Sequence, residues 1–208
     1  MILYAGPSLS EMSRLVVAKR GITLKPPIKR GDLLQLEDQK YRGKVVIADG
    51  YFQWVLSVGH KEIISSISNG MEVYGVSSMG AIRAYELRDY GMKGFGEVYE
   101  KFFLEEDFQD DELSLLHEGE APYRAITEPL VHYRECIDHM ISEKLINESD
   151  GLKIICELKV LWFGNRTIQL FKSLFEKYTG SRFENYFTNL DRFQIKKIDL
   201  INCLEATY

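Results

Sequence analysis

The stretch "GVSSMGAIRAYE", residues 75–86, sets two serines between a β-leaning run, "MEVY", and an apolar-periodic run that reads as a helix. Its centre is Val76-x-Ser78-x-Gly80, half of the G-x-S-x-G pattern in which a strand turns sharply into a helix and lifts a nucleophilic hydroxyl out of the turn. Valine stands where the first glycine of that pattern would be. Two readings of Ser78 are open. It is a nucleophile, with the amides of Met79 and Gly80 at the helix N-terminus serving a developing oxyanion, or it is the N-cap of that helix. Ser77 stands beside it, and backbone geometry decides which hydroxyl faces outward.

A serine nucleophile needs a base. None of the four histidines, His60, His117, His132 and His139, lies in a pattern that marks a serine-hydrolase histidine. Lys61 in "GHKE" reads as mid-helix among apolar neighbours, where a desolvated ammonium loses its proton more readily and the neutral amine becomes a base. The other reading is a solvated helix lysine. His60 points about 100 degrees away from Lys61 on the same helix, so it reads as a supporting or interface residue.

These residues need elements to hold them. "ILYAG" reads as a strand ended at Gly6-Pro7, followed by a helix with Ser8 and Glu11 in capping-box spacing. "ITLKPPI" is a short extended piece stopped by its prolines, and "GDLLQLEDQK" a weak helix. "KVVIADG" is the clearest buried strand, turning at Asp49-Gly50. Residues 51–69 carry Trp54, Val55, Val58, Ile63, Ile64 and Ile67 at helical spacing and stop at Gly70. Strands alternating with helical crossovers predict an α/β fold: a small, mainly parallel sheet from the N-terminal half flanked by helices, with a helical C-terminal half. No strand is expected beyond residue 79; six helical patterns follow between about 79 and 205. The domain expectation is one unit over 1–208, with an α/β core over about 1–90 and a helical portion over about 91–208. In such a sheet ligands gather at the C-terminal strand ends, where Ser8, Asp49, Gly50, Ser77 and Ser78 converge.

The chain has 208 residues, a net charge of −5 and no basic stripe, which argues against sequence-independent nucleic-acid binding. "MILYAGPSLS" has no basic n-region and too short an apolar run for a signal or a membrane span, so a cytoplasmic protein without membrane association is expected. Three cysteines without C-x-x-C spacing, each among apolar neighbours, read as packed thiols.

Seven blocks in order resemble the TfuA-like family: "GPSL", "ADGYF", "HKEI", "SSMGAIRAYEL", "YGMKGFGEVY", "DDELSLLH" and "EPLVHYRE". The resemblance covers about residues 3–170. It implies hydrolysis of the C-terminal thiocarboxylate of a ThiS-like sulfur-carrier protein. The sulfide goes to a YcaO enzyme, which activates a backbone amide of a ribosomally made peptide with ATP so that sulfur replaces oxygen. It implies docking on both proteins, no cofactor, and a Ser-Lys pair that maps by motif onto Ser78 and Lys61. The rival class is a non-catalytic adaptor that docks the YcaO enzyme and raises its affinity for the peptide; a general serine esterase is a third reading.

The remaining candidates carry two or three readings each. Asp49 caps the following helix, or it orients Lys61. Arg83 forms a helix salt bridge to Glu86 or Glu62, or it grips a partner's carboxylate tail. Asp110, Asp111 and Glu112 start a helix, or hold the basic face of a partner; a Mg²⁺ site is a third reading, for which two adjacent carboxylates supply no further spacing logic. His132, Cys136 and His139 share one helical stripe, which alone does not make a metal site, and none is expected. Ser8 caps its helix, or lends an anion-binding amide. The aromatic tail "RFENYFTNLDRF" is expected to close a core.

Overall fold

A computed structural model of the chain describes residues 1–51, 55–182, 184–187 and 189–208. It divides into two compact units: Met1–Phe108 with Glu120–Tyr123 and Lys196–Tyr208, and Gln109–Gly119 with Arg124–Ile195.

The first unit is a five-stranded, wholly parallel sheet with the strand order β2-β1-β3-β4-β5. The strands are β1 (Ile2–Tyr4), β2 (Thr23–Lys25), β3 (Lys44–Ile47), β4 (Glu72–Gly75) and β5 (Lys93–Gly94). In register, Leu3 lies between Leu24 and Val46, and Ile47 opposite Gly75. Val45, Val46 and Ile47 are fully buried because β3 is central and covered on both faces, which is why its sequence is a continuous apolar run rather than an alternating one. One face packs α2 (Asp32–Asp38), α3 (His60–Ser68) and α4 (Met79–Glu86) through Leu33, Leu36, Ile63, Met79 and Ala84. The other face packs α1 (Glu11–Lys19) and the last helix, α10 (Ile195–Thr207), through Val17, Leu200, Cys203 and Leu204. The Lys44 ammonium holds the end of α10 by a 2.6 Å bond to the Thr207 carbonyl.

Several local expectations change. The strand at 93–94 was not anticipated, because two residues inside "YGMKG" carry no periodicity; it pairs with Tyr74 and Gly75. The helix expected over 51–69 starts only at His60, after Gly59 in extended conformation; Trp54 lies outside the described residues. Asn69 caps α3 and Gly70 follows with φ +93°, the left-handed exit its glycine predicts. The cap of α1 is Ser10, whose hydroxyl accepts from the Ser13 amide, not Ser8. α5 (Glu97–Leu104) is capped from a distance: the Asp199 carboxylate of α10 accepts from the Glu97 and Val98 amides at 2.9 and 2.8 Å.

The second unit packs α6 (Leu130–Ser142), α7 (Glu148–Lys159), α8 (Ile168–Thr179) and α9 (Glu184–Phe187) around Tyr133, Phe171 and Phe175. Phe187 and Phe193 of the aromatic tail close this core as expected. Its loops are stapled by Arg166, wholly buried, which reaches the carbonyls of Leu158, Leu161 and Asp111 and the Asp111 carboxylate. Cys136 and Cys203 are buried, and burial pushes each thiol up to about 12. Cys156, expected to be packed as well, is exposed on α7. No helix among the described residues is long and apolar enough to cross a membrane.

Candidate functional site

The β4–α4 turn is built on close backbone approach. A Cβ on Gly80 would lie 1.7 Å from the Ile47 carbonyl oxygen, and one on Gly75 would lie 2.0 Å from the Gly80 oxygen. The second glycine of the half-elbow is therefore demanded by the seat of α4 against the ends of β3 and β4. The Gly80 amide is spent on that seat too, donating to the Ala48 carbonyl at 3.2 Å. It was expected to face an oxyanion. The amides without an acceptor among the described residues are those of Met79 and Ala81, at the first and third positions of α4.

The two serines separate cleanly. Ser77 takes the strained conformation, φ +67°, and is wholly buried, its hydroxyl donating at 2.6 Å to the Lys196 carbonyl of α10. Ser78 is half-buried, with φ −131° and ψ −115°, and its hydroxyl makes neither a capping bond nor any other hydrogen bond among the described residues. Its amide is shared between the Val76 and Ala48 carbonyls. So Ser78 is the outward hydroxyl, and it occupies the N-cap position without capping through its side chain.

Asp49 is brought beside this turn by β3, and its carboxylate is committed to the loop after β1 rather than to Lys61. Its Oδ2 accepts from the Gly6 and Ser8 amides at 2.8 and 2.9 Å, and its Oδ1 accepts from the Ser8 hydroxyl at 2.7 Å. Both side chains are buried, so Asp49 and Ser8 together lock the loop after β1 to the end of β3. Neither expected helix cap forms. Gly50 bridges to Ile28 and leaves room for Met79, whose Cγ would meet an added Cβ at 2.7 Å.

Lys61 does not lie mid-helix in an apolar setting. It is the second residue of α3, exposed, with no hydrogen bond or ion pair among the described residues. The burial expected there falls on Lys196, which no motif marks and whose side chain is 2% exposed. His60 bonds the Glu86 carboxylate at 2.8 Å, and Arg83 pairs with the same carboxylate and reaches the Val58 carbonyl at 3.1 Å. Desolvation pushes the Glu86 carboxyl up, but the bonds from His60 and Arg83 together outweigh it and hold it below the usual carboxylate range. Arg83 thus ties α4 to the segment entering α3. Glu62, its other expected partner, instead accepts from the Gly31 and Leu33 amides and caps α2.

The acidic cluster is spent within its own unit. Glu112, 1% exposed, is held by Arg134 in a two-pronged pair at 2.6 and 2.8 Å and approached by Lys159, while Asp111 holds Arg166. Asp110 opens the 3₁₀ turn Asp110–Leu113. Of the histidine–cysteine stripe, His132 bonds Glu128 through Nδ1 at 2.8 Å and Cys136 is core; no metal-binding cluster occurs among the described residues.

A parallel sheet in the order 2-1-3-4-5, covered by helices on both faces, defines a doubly wound α/β protein. Its topological switch lies between β1 and β3, where Asp49 and Ser8 meet. The chain belongs to the TfuA-like family: the family model described as "TfuA-like protein" matches residues 49–167, more than half of the chain. Proteins of this family are generally associated with YcaO enzymes. The match takes in Asp49, Lys61 and the serine turn, and leaves Ser8, "GPSL" and Lys196 outside it. No curated protein matches the chain.

Proposed function

We propose that this protein releases sulfide from the C-terminal thiocarboxylate of a ThiS-like sulfur carrier and supports a YcaO enzyme in thioamidation of a ribosomally made peptide. Ser78 is the nucleophile and Lys61 the base. The observation that carries the reading is the Ser78 hydroxyl: unbonded among the described residues, half-exposed at the C-terminal edge of the sheet, and inside the family match. Ser78 Oγ bonds to the thiocarboxylate carbon and the C–S bond breaks. The proton that Lys61 takes from the hydroxyl passes to sulfur, which leaves as hydrosulfide. Water then cleaves the ester, giving the carrier's carboxylate and free Ser78. The Met79 and Ala81 amides are the donors left for the oxyanion. Because Lys61 is exposed, its role as base requires that the docked carrier cover it and so disfavour its ammonium form.

That exposure also favours a second reading, a non-catalytic adaptor that docks the YcaO enzyme and raises its affinity for the peptide. Single-turnover sulfide release from a purified ThiS-like thiocarboxylate separates the two. Ser78→Ala and Lys61→Ala are each expected to slow release by about a hundredfold or more. If both release sulfide as fast as the parent while still stimulating the YcaO enzyme, the adaptor reading stands and the hydrolase reading falls.

A further inference from the structure

Away from the serine turn, the β2 edge of the sheet carries two adjoining cavities of about 200 and 290 Å³ that share Lys25, Pro26 and Tyr123. The first is lined by Leu9, Arg14 and Leu24, the second by Tyr4, Lys29, Asp32 and Tyr51. Their charge is opposite to that of the chain. Arg14, Lys25 and Lys29 line them, and none of the three side chains has a hydrogen bond or ion pair among the described residues. The one carboxylate in the lining, Asp32, accepts from the Lys29 amide at 2.9 Å. The chain as a whole carries −5.

The backbone of β2 adds a second feature. Thr23 donates its amide to the Met1 carbonyl and Lys25 accepts from the Ala5 amide, so the alternation of a parallel ladder directs the Leu24 N–H and C=O away from β1, to the open edge. Thr23, Leu24 and Lys25 are all exposed. An outward amide–carbonyl pair beside apolar hollows and free cations is the recognition surface of strand addition, in which main-chain bonds fix register and flanking pockets take alternate side chains.

We propose that this cleft binds an extended acidic peptide segment: its backbone pairs with Leu24, its carboxylates face Arg14, Lys25 and Lys29, and its apolar side chains enter the hollow formed by Leu9, Leu24 and Pro26. A second copy of this chain is the poorer occupant, because β2 holds no carboxylate and pairing two β2 edges would gather the Lys25 cations of both copies at one seam with no opposite charge in either strand. The site does not depend on the chemistry of Ser78.

The experiment is fluorescence anisotropy of a fluorescein-labelled eight-residue peptide of alternating glutamate and valine, titrated with the full chain at low and physiological salt. Binding in the micromolar range is expected, at least tenfold weaker for Lys25→Glu and Arg14→Glu and unchanged for Ser78→Ala. Leu24→Pro removes the outward amide together with the Leu24 side chain and is tolerated on an edge strand, so it is expected to weaken binding at least tenfold, and more than Leu24→Ala, with an unchanged melting temperature. Three results overturn the proposal: no binding, equal binding of the peptide with lysine in place of glutamate, or equal binding by the variants. A doubled mass in sedimentation that Lys25→Glu changes, without peptide binding, overturns it in favour of an edge-to-edge dimer.

Discussion

At the scale of single residues, the serine turn separates two properties that a sequence pattern merges. Strain falls on Ser77, which is buried and committed to a carbonyl of α10; accessibility falls on Ser78. Spacing alone could not assign them, since both residues precede the helix and the choice rests on one φ angle. Gly80 was legible as a turn glycine, but the reason for it lies in the Ile47 carbonyl, 33 residues earlier in the chain. With an added Cβ at 1.7 Å from that oxygen, backbone has to give way to accommodate it, not a flexible side chain. Gly80→Ala is therefore expected to lift α4 from the sheet and destabilise the protein by about 3 kcal/mol, read as a lower midpoint in urea unfolding at an unchanged slope. An unaltered midpoint would show that the close approach is not what Gly80 is for.

At the scale of elements, the strands and helices with strong periodicity were legible: β3 from "KVVI", β4 from "EVYG", and α6, α7 and α8 from their apolar spacing. Several of their fastenings were not, because they come from residues remote in the chain. Glu62 caps α2, Asp49 holds the loop after β1, and Asp199 caps α5. The Asp199 cap has a pH signature. Burial pushes its carboxyl from 3.8 up to about 6, against the downward pull of the Val98 and Glu97 amides. The folded state thus holds this proton more tightly than the unfolded chain. The contribution is fully present below about pH 4 and is lost as pH rises through about 6, with an upper limit of about 3 kcal/mol. Asp199→Asn does not titrate. The stability of the parent relative to this variant is therefore expected to fall between pH 4 and pH 6 and to stay level above pH 7, as measured by urea unfolding across that range. A difference that does not vary with pH would remove Asp199 as the titrating group.

At the scale of the whole chain, a parallel α/β sheet followed by helices could be read from the order of the elements. The destination of the last helix could not. α10 is apolar around much of its circumference, so periodicity marks a helix without indicating which surface it covers. It returns to the sheet unit: Leu200, Cys203 and Leu204 are fully buried against residues of β1, β3 and the β4 exit, and Lys196 and Asp199 supply the partners of Ser77 and α5. One face of the sheet is therefore incomplete until the final residues are made, although the family match ends at residue 167. A chain ending at Ile195 loses the three buried apolar side chains, the Ser77 acceptor and the α5 cap together. Each buried apolar side chain contributes about 1.5–3 kcal/mol, which sums to a large part of the 5–15 kcal/mol that stabilises an ordinary domain. The truncated chain is expected to lose the cooperative thermal transition of the sheet unit and to bind a hydrophobic dye. Supplying residues 196–208 as a separate peptide is expected to restore part of that transition. A truncated chain that melts like the parent would mean that α10 is an appendage rather than the closing layer of the sheet.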